Sequence, residues 1–160
     1  MGRIFGALAL LLVLSGCGMG AVCTTAEGVQ LLDDASDCDG FQAVVSRTVA
    51  LMGDAPGFSR AAFVTNIHGY AVSVQPGSDG HSFPGMDGKP RAGETLCDYG
   101  GIRVANDHWR DPSNSLPHEL GHAGEQCAVD VTQPAGSFEY GHPEWKSRGL
   151  YQLIEESRAP

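Results

Sequence analysis

Basic side chains are scarce in this chain. Ten Lys and Arg stand against 19 Asp and Glu, for a formal net charge of −9 over 160 residues. Proteins that bind nucleic acid neutralise phosphates with Lys and Arg, so the charge argues against a nucleic-acid partner. Charged residues of both signs total only 18%, while apolar residues reach 42%. That balance excludes a disordered or coiled-coil chain. No apolar run is long enough for a spanning helix, which needs about 20 residues; the longest stretch, Ile4–Leu14, falls well short. No Cys-x-x-Cys pair and no internal repeat occur. What the chain has in excess is Gly and Pro, 22 and 9 residues. One loop-rich domain with short elements is expected.

The first residues have a different character. A single basic residue, Arg3, precedes the apolar run, and Ser15-Gly16 follow it. This pattern is that of a secretory signal peptide. The string Leu14-Ser15-Gly16-Cys17 resembles the bacterial lipobox. The resemblance implies cleavage before Cys17 and lipid modification of its sulfur. The expected organisation is a signal peptide over residues 1–16, a tether and loop over 17–37, and a folded domain over 38–160. Gly18 lacks the Asp that resembles an inner-membrane retention signal, so an exported protein anchored through Cys17, on the outer membrane, is expected. With Cys17 lipidated, Cys23, Cys38, Cys97 and Cys127 remain. An even count in an exported chain points to two disulfides. Of the three connectivities, Cys23–Cys38 and Cys97–Cys127 are favoured. The first is local, and the second would pin a helix end to the strand region before it.

Apolar spacing predicts a helix over Phe41–Met52 and strands over Ala62–Ile67, Tyr70–Val74 and Ile102–Ala105. Residues 75–96 read as a long loop. A helix is expected over Leu116–Cys127, with Asn114 or Ser115 at its N-cap and Pro117 in its first turn. A second loop over 128–141 leads to a last helix, Glu144–Glu156.

The chemistry concentrates in His118-Glu119-Leu120-Gly121-His122. On a helix, residues four apart lie on one face about 6 Å apart along the axis. His118 and His122 can therefore reach one Zn²⁺ together. Glu119 lies about 100° round the helix. It can flank the metal as a base that takes a proton from water, whose pKa zinc lowers to about 7. The composition of the chain gives an H-E-x-x-H match by chance about 1% of the time. Leu116, Leu120, Ala123 and Cys127 form an apolar stripe facing away from the two imidazoles. Gly121 and Gly124 imply close backbone approach, or room beside a metal.

Catalytic zinc usually has three protein ligands and one open position. A metzincin-type continuation is excluded, because Glu125 and Ala128 stand where Gly and His would be needed. The candidates for the third ligand are Asp130, Glu139, His142 and Glu144, with His142 favoured. It follows a loop that can turn back and stands at the start of the last helix. Its distance from His122 is similar to the gap before the third ligand of thermolysin-like peptidases. Glu144 is the runner-up, but Arg148 occupies the position where those enzymes carry an acidic residue. His68, His81 and His108 read as solvated side chains near turns.

On these residues the stretch from about 100 to 157 resembles the zincin metallopeptidases, and EYGHPEW over Glu139–Trp145 resembles small bacterial secreted members. The resemblance implies an α+β fold, with a small twisted sheet packed on the HExxH helix and a further N-terminal and C-terminal helix. It implies one Zn²⁺ per chain held by His118, His122 and His142, and Glu119 as general base. Peptide bonds in a peptide or protein substrate would be hydrolysed, with the strand at Gly101–Ala105 pairing with extended substrate and Tyr140 as a candidate donor. A monomer is expected. Two alternatives stand beside this one: a non-catalytic zinc-binding envelope lipoprotein, and a disulfide-stapled binding module without metal.

Overall fold

Residues 21–33, 36–53, 59–76 and 79–127 are described by a computed structural model. The first helix, α1, spans Cys38–Gly53. Asp37 caps it, its Oδ1 accepting from Gly40 N at 3.0 Å. Phe41, Val44, Val45, Val49 and Met52 repeat at helical spacing, and all are buried. The predicted helix is present, one turn longer at its start.

The segment read as a strand over Ala62–Ile67 is instead helix α2, Arg60–Ile67. Its β-branched residues favour a strand, but two local features override that preference. Ser59 Oγ accepts from Ala62 N at 3.3 Å as an N-cap, and Phe63 and Ile67, four apart, both enter the core. Thr65 returns its hydroxyl to Ala61 O at 2.8 Å, which satisfies it within the helix.

Five strands form a mixed sheet in the order β1-β2-β3-β7-β6. They are β1 (Cys23–Thr24), β2 (Gln30–Leu31), β3 (Ala71–Val74), β6 (Gly93–Leu96) and β7 (Gly101–Val104). Strands β2, β3 and β7 run parallel, and β1 and β6 lie antiparallel at the two edges. β4 (Phe83–Pro84) and β5 (Pro90–Arg91) form a separate hairpin. The fold class is α+β, as expected. Two further expectations need correction. Residues 23–31, read as part of a tether, carry β1 and β2, because Val29 and Leu31 are fully buried and Cys23 is bonded to Cys38. Residues 75–96, read as a loop, hold the hairpin and an edge strand. Gly- and Pro-rich composition hides strands only two to four residues long.

Strand alternation places the core. Leu31, Val72, Ile102 and Val104 meet Phe41, Val45, Met52, Phe63 and Ile67 from the helices. The other face of the sheet carries Glu94 and Arg103, which the hairpin meets through Phe83 and Met86. Arg103 Nη1 meets Glu94 Oε2 at 2.8 Å, its Nη2 donates to Gln75 Oε1 at 2.6 Å, and its guanidinium lies 4.8 Å from the Phe83 ring centre. Among the described residues, no helix is long and apolar enough to cross a membrane.

Both favoured disulfides are present. Cys23–Cys38 joins β1 to the start of α1, with Cα atoms 6.1 Å apart. Cys97–Cys127 joins the turn after β6 to the end of the HExxH helix, at 5.2 Å.

Replacing Cys97 and Cys127 together by Ser is expected to cost about 4 kcal/mol, from the entropy of a loop with sequence separation 30. Cys23 with Cys38, separated by 15, should cost about 3 kcal/mol. Urea unfolding midpoints measure both. The loops carry a pH signature as well. Backbone N–H groups of Ser82, Lys89 and Ser113 hold Asp79, Asp87 and Asp111 below the usual carboxylate range. A depressed folded value means that the stabilisation is complete above about pH 4 and fades as pH falls further. Amide protection factors in residues 79–91 and 107–113, taken relative to the intrinsic exchange rate at each pH, should therefore fall on acidification below about pH 4.

Candidate metal centre

The HExxH helix, α3, spans Leu116–Gly121 and continues as a π-helical turn over His122–Gln126. Its start is fastened to the loop after β7 and to the edge of the sheet. Asn114 Oδ1 accepts from Leu116 N at 2.9 Å, while its Nδ2 donates to Asn106 Oδ1 at 3.0 Å. Of the two predicted caps, Asn114 holds the first turn. Ser115 occupies the N-cap position but sends its hydroxyl to Ala92 O, 2.8 Å away, just before β6.

Leu116, Leu120 and Ala123 enter the core as the apolar stripe predicts. The opposite side carries His118 and His122, both half-buried. Their rings cross at 75° with centres 4.8 Å apart, and their Nε2 atoms converge to 3.1 Å. Two nitrogens bound to tetrahedral zinc at about 2.05 Å would stand about 3.3 Å apart. The pair therefore fits two positions of such a site. At the same distance one neutral ring can donate Nε2–H to the other.

Glu119 meets the edge strand β6 and is only 6% exposed. Thr95 Oγ1 on β6 donates to Glu119 Oε2 at 2.8 Å and lies 3.0 Å from Glu119 O. A Cβ on Gly93 would stand 2.6 Å from Glu119 Oε1 and 2.6 Å from Ser115 Oγ. Ser115 enters the sequence reading only as a candidate N-cap, and Gly93 and Thr95 escape it. Their signal is faint: the alternation Gly93-Glu94-Thr95-Leu96 at the end of a stretch dominated by turn residues.

The strand expected to face substrate needs correction. β7, Gly101–Val104, lies inside the sheet between β3 and β6, because Ile102 and Val104 are fully buried. The edge beside α3 is β6. Ala105 N donates to Ala92 O at 3.0 Å. In the register of β6 with β7 this makes Glu94·Arg103 and Leu96·Gly101 the hydrogen-bonded pairs. Gly93 and Thr95 consequently direct their backbone N–H and C=O away from β7, toward the edge at which β6 has no further strand among the described residues.

The π turn coincides with two further constraints. Gly124 faces Phe63 of α2 so closely that any side chain there would enter the ring, and its carbonyl accepts from Asn66 Nδ2 at 2.7 Å. Cys127 N–H reaches back to His122 O, while its sulfur is tied to Cys97. Gly124 thus serves close backbone approach, one of the two roles expected of it.

His142 and the other candidates for the third position, Asp130, Glu139 and Glu144, lie outside the described residues, as do Tyr140 and Cys17. Among the described residues, no group of three or more His, Cys, Asp or Glu converges. His68, His81 and His108 stand apart from His118 and His122: His68 packs against Gly28, and His81 and His108 lie near Asp111. No protein-family model, curated protein or solved structure matches the chain.

His118→Ala and His122→Ala should each weaken zinc binding beyond the roughly 10–100-fold that changes outside the ligand set cost. Competition with a chromophoric chelator, checked by circular dichroism for an intact fold, measures this.

Proposed function

We propose that the chain is a zinc-dependent peptidase of the bacterial cell envelope, with a zincin-like arrangement of helix and edge strand. The observation that carries this reading is the convergence of His118 and His122 Nε2 atoms to 3.1 Å, with Glu119 next in the helix and, among the described residues, the sheet's edge strand alongside. His118 and His122 would hold the metal with His142 as third ligand, and Cys17 would carry the lipid anchor. Zinc held there would polarise the scissile carbonyl and lower the pKa of the attacking water to about 7. Glu119 would be the base that takes a proton from the attacking water. The outward N–H and C=O groups of Gly93 and Thr95 pair with an extended peptide, as strand addition requires. Leu116 and Leu120, anchored in the core, keep the two imidazoles in phase while substrate is bound.

Metal analysis of the full exported chain should give one zinc per chain. Glu119→Gln should keep that zinc and lose about 10²–10⁴-fold in hydrolysis of fluorescein-labelled denatured casein. Undiminished hydrolysis by Glu119→Gln rejects the reading. The low exposure of Glu119 and its hydrogen bond into β6 favour one second reading, a zinc-binding envelope protein without catalysis. Stoichiometric zinc with no hydrolysis by the wild-type chain would establish it. Absence of zinc at that level would leave the disulfide-stapled module.

A further inference from the structure

We propose that Thr95 is a positioning residue for Glu119 and that the missing side chain at Gly93 makes the space in which the Glu119 carboxylate sits. The assignment rests on the hydrolase reading above and adds two residues to it. Gly93 and Thr95 are alternate residues of β6, so both face α3. One presents a hydroxyl to the carboxylate and the other presents nothing.

Thr95 has a single hydroxyl proton and two acceptors in range, Glu119 Oε2 at 2.8 Å and Glu119 O at 3.0 Å. The carboxylate oxygen is the nearer of the two. The bond to it fixes the torsion at the end of the Glu119 side chain, which is otherwise broad. With Oε2 held by Thr95, the carboxylate keeps one orientation relative to the helix. Oε1 lies over Gly93, where a Cβ would approach to 2.6 Å. Gly93 does not have a positive φ, so conformational freedom of the backbone does not explain the glycine there. The contact with Glu119 and Ser115 does. The same two residues direct backbone groups toward the open edge, so the strand that would take the peptide also sets the base beside it.

A merely structural role for the hydroxyl is the competing account, and kinetics separates the two. The full chain, loaded with zinc, is assayed on fluorescein-labelled denatured casein with kcat and KM resolved. Thr95→Val should lower kcat about 100-fold, the scale of a displaced catalytic group, with KM within about twofold and zinc content unchanged. Thr95→Ser restores the hydroxyl and should recover kcat to within about threefold of wild type. Gly93→Ala is the second variant, useful if Thr95→Val folds poorly. The added methyl meets Glu119 Oε1 and Cγ and Ser115 Oγ, so the Glu119 side chain must shift; with an intact fold by circular dichroism and zinc retained, kcat should fall by about tenfold or more. Wild-type kcat in both Thr95→Val and Gly93→Ala, alongside a large loss in Glu119→Gln, overturns the positioning role and leaves the hydrolase reading standing. Undiminished hydrolysis by Glu119→Gln, or none by the wild-type chain, overturns both together.

Discussion

The docking of the first turn of α3 on the edge strand is the constraint on which the site depends. Ser115 Oγ donates to Ala92 O just before β6, and Thr95 Oγ1 donates to Glu119. The Ser115 bond contributes only about 1 kcal/mol net, while fully burying Leu116 and Leu120 contributes roughly 1.5–3 kcal/mol each. Packing therefore holds the helix in place, and the hydrogen bonds set its phase. Once Leu116, Leu120 and Ala123 face inward and Glu119 faces β6, His118 and His122 have one direction left. Their convergence follows from the apolar stripe as much as from their own spacing.

The position of β6 is set from both faces of the sheet. On the helix side it touches Glu119 and Ser115. On the other side Glu94 meets Arg103 of β7, and Arg103 also engages Gln75 and lies over Phe83 of the hairpin. An edge strand of four residues has few backbone bonds of its own. The guanidinium adds a charge-assisted link across the β6–β7 pair, which keeps the outward groups of Gly93 and Thr95 level with the helix.

Much of this was legible in the sequence where spacing and geometry coincide. The i, i+4 spacing of His118 and His122 gave their shared face, and the stripe of Leu116, Leu120 and Ala123 gave the buried side. The disulfide pairing was legible because one pair is local and the other joins a helix end to a nearby strand. What escaped was decided by partners distant in sequence. Ala62–Ile67 has strand-like residues, yet Ser59 as cap and core places for Phe63 and Ile67 make it helical. β6 has four residues and sits after a run of turn formers, so no periodicity marks it. Thr95 acquires its significance only from Glu119, 24 positions later, a relation that no local pattern contains. The π turn is equally invisible locally, because it answers to Phe63 and to Cys97.

The Cys97–Cys127 bond has a consequence beyond the folded state. It closes a covalent ring that includes β7, His118, Glu119 and His122. When noncovalent structure is lost, this ring persists, and both imidazoles stay within one short tethered segment. A chain crosslinked before it is fully folded thus keeps the segment that carries both imidazoles tied to the end of β6, which shortens the search by which the two reach their folded arrangement.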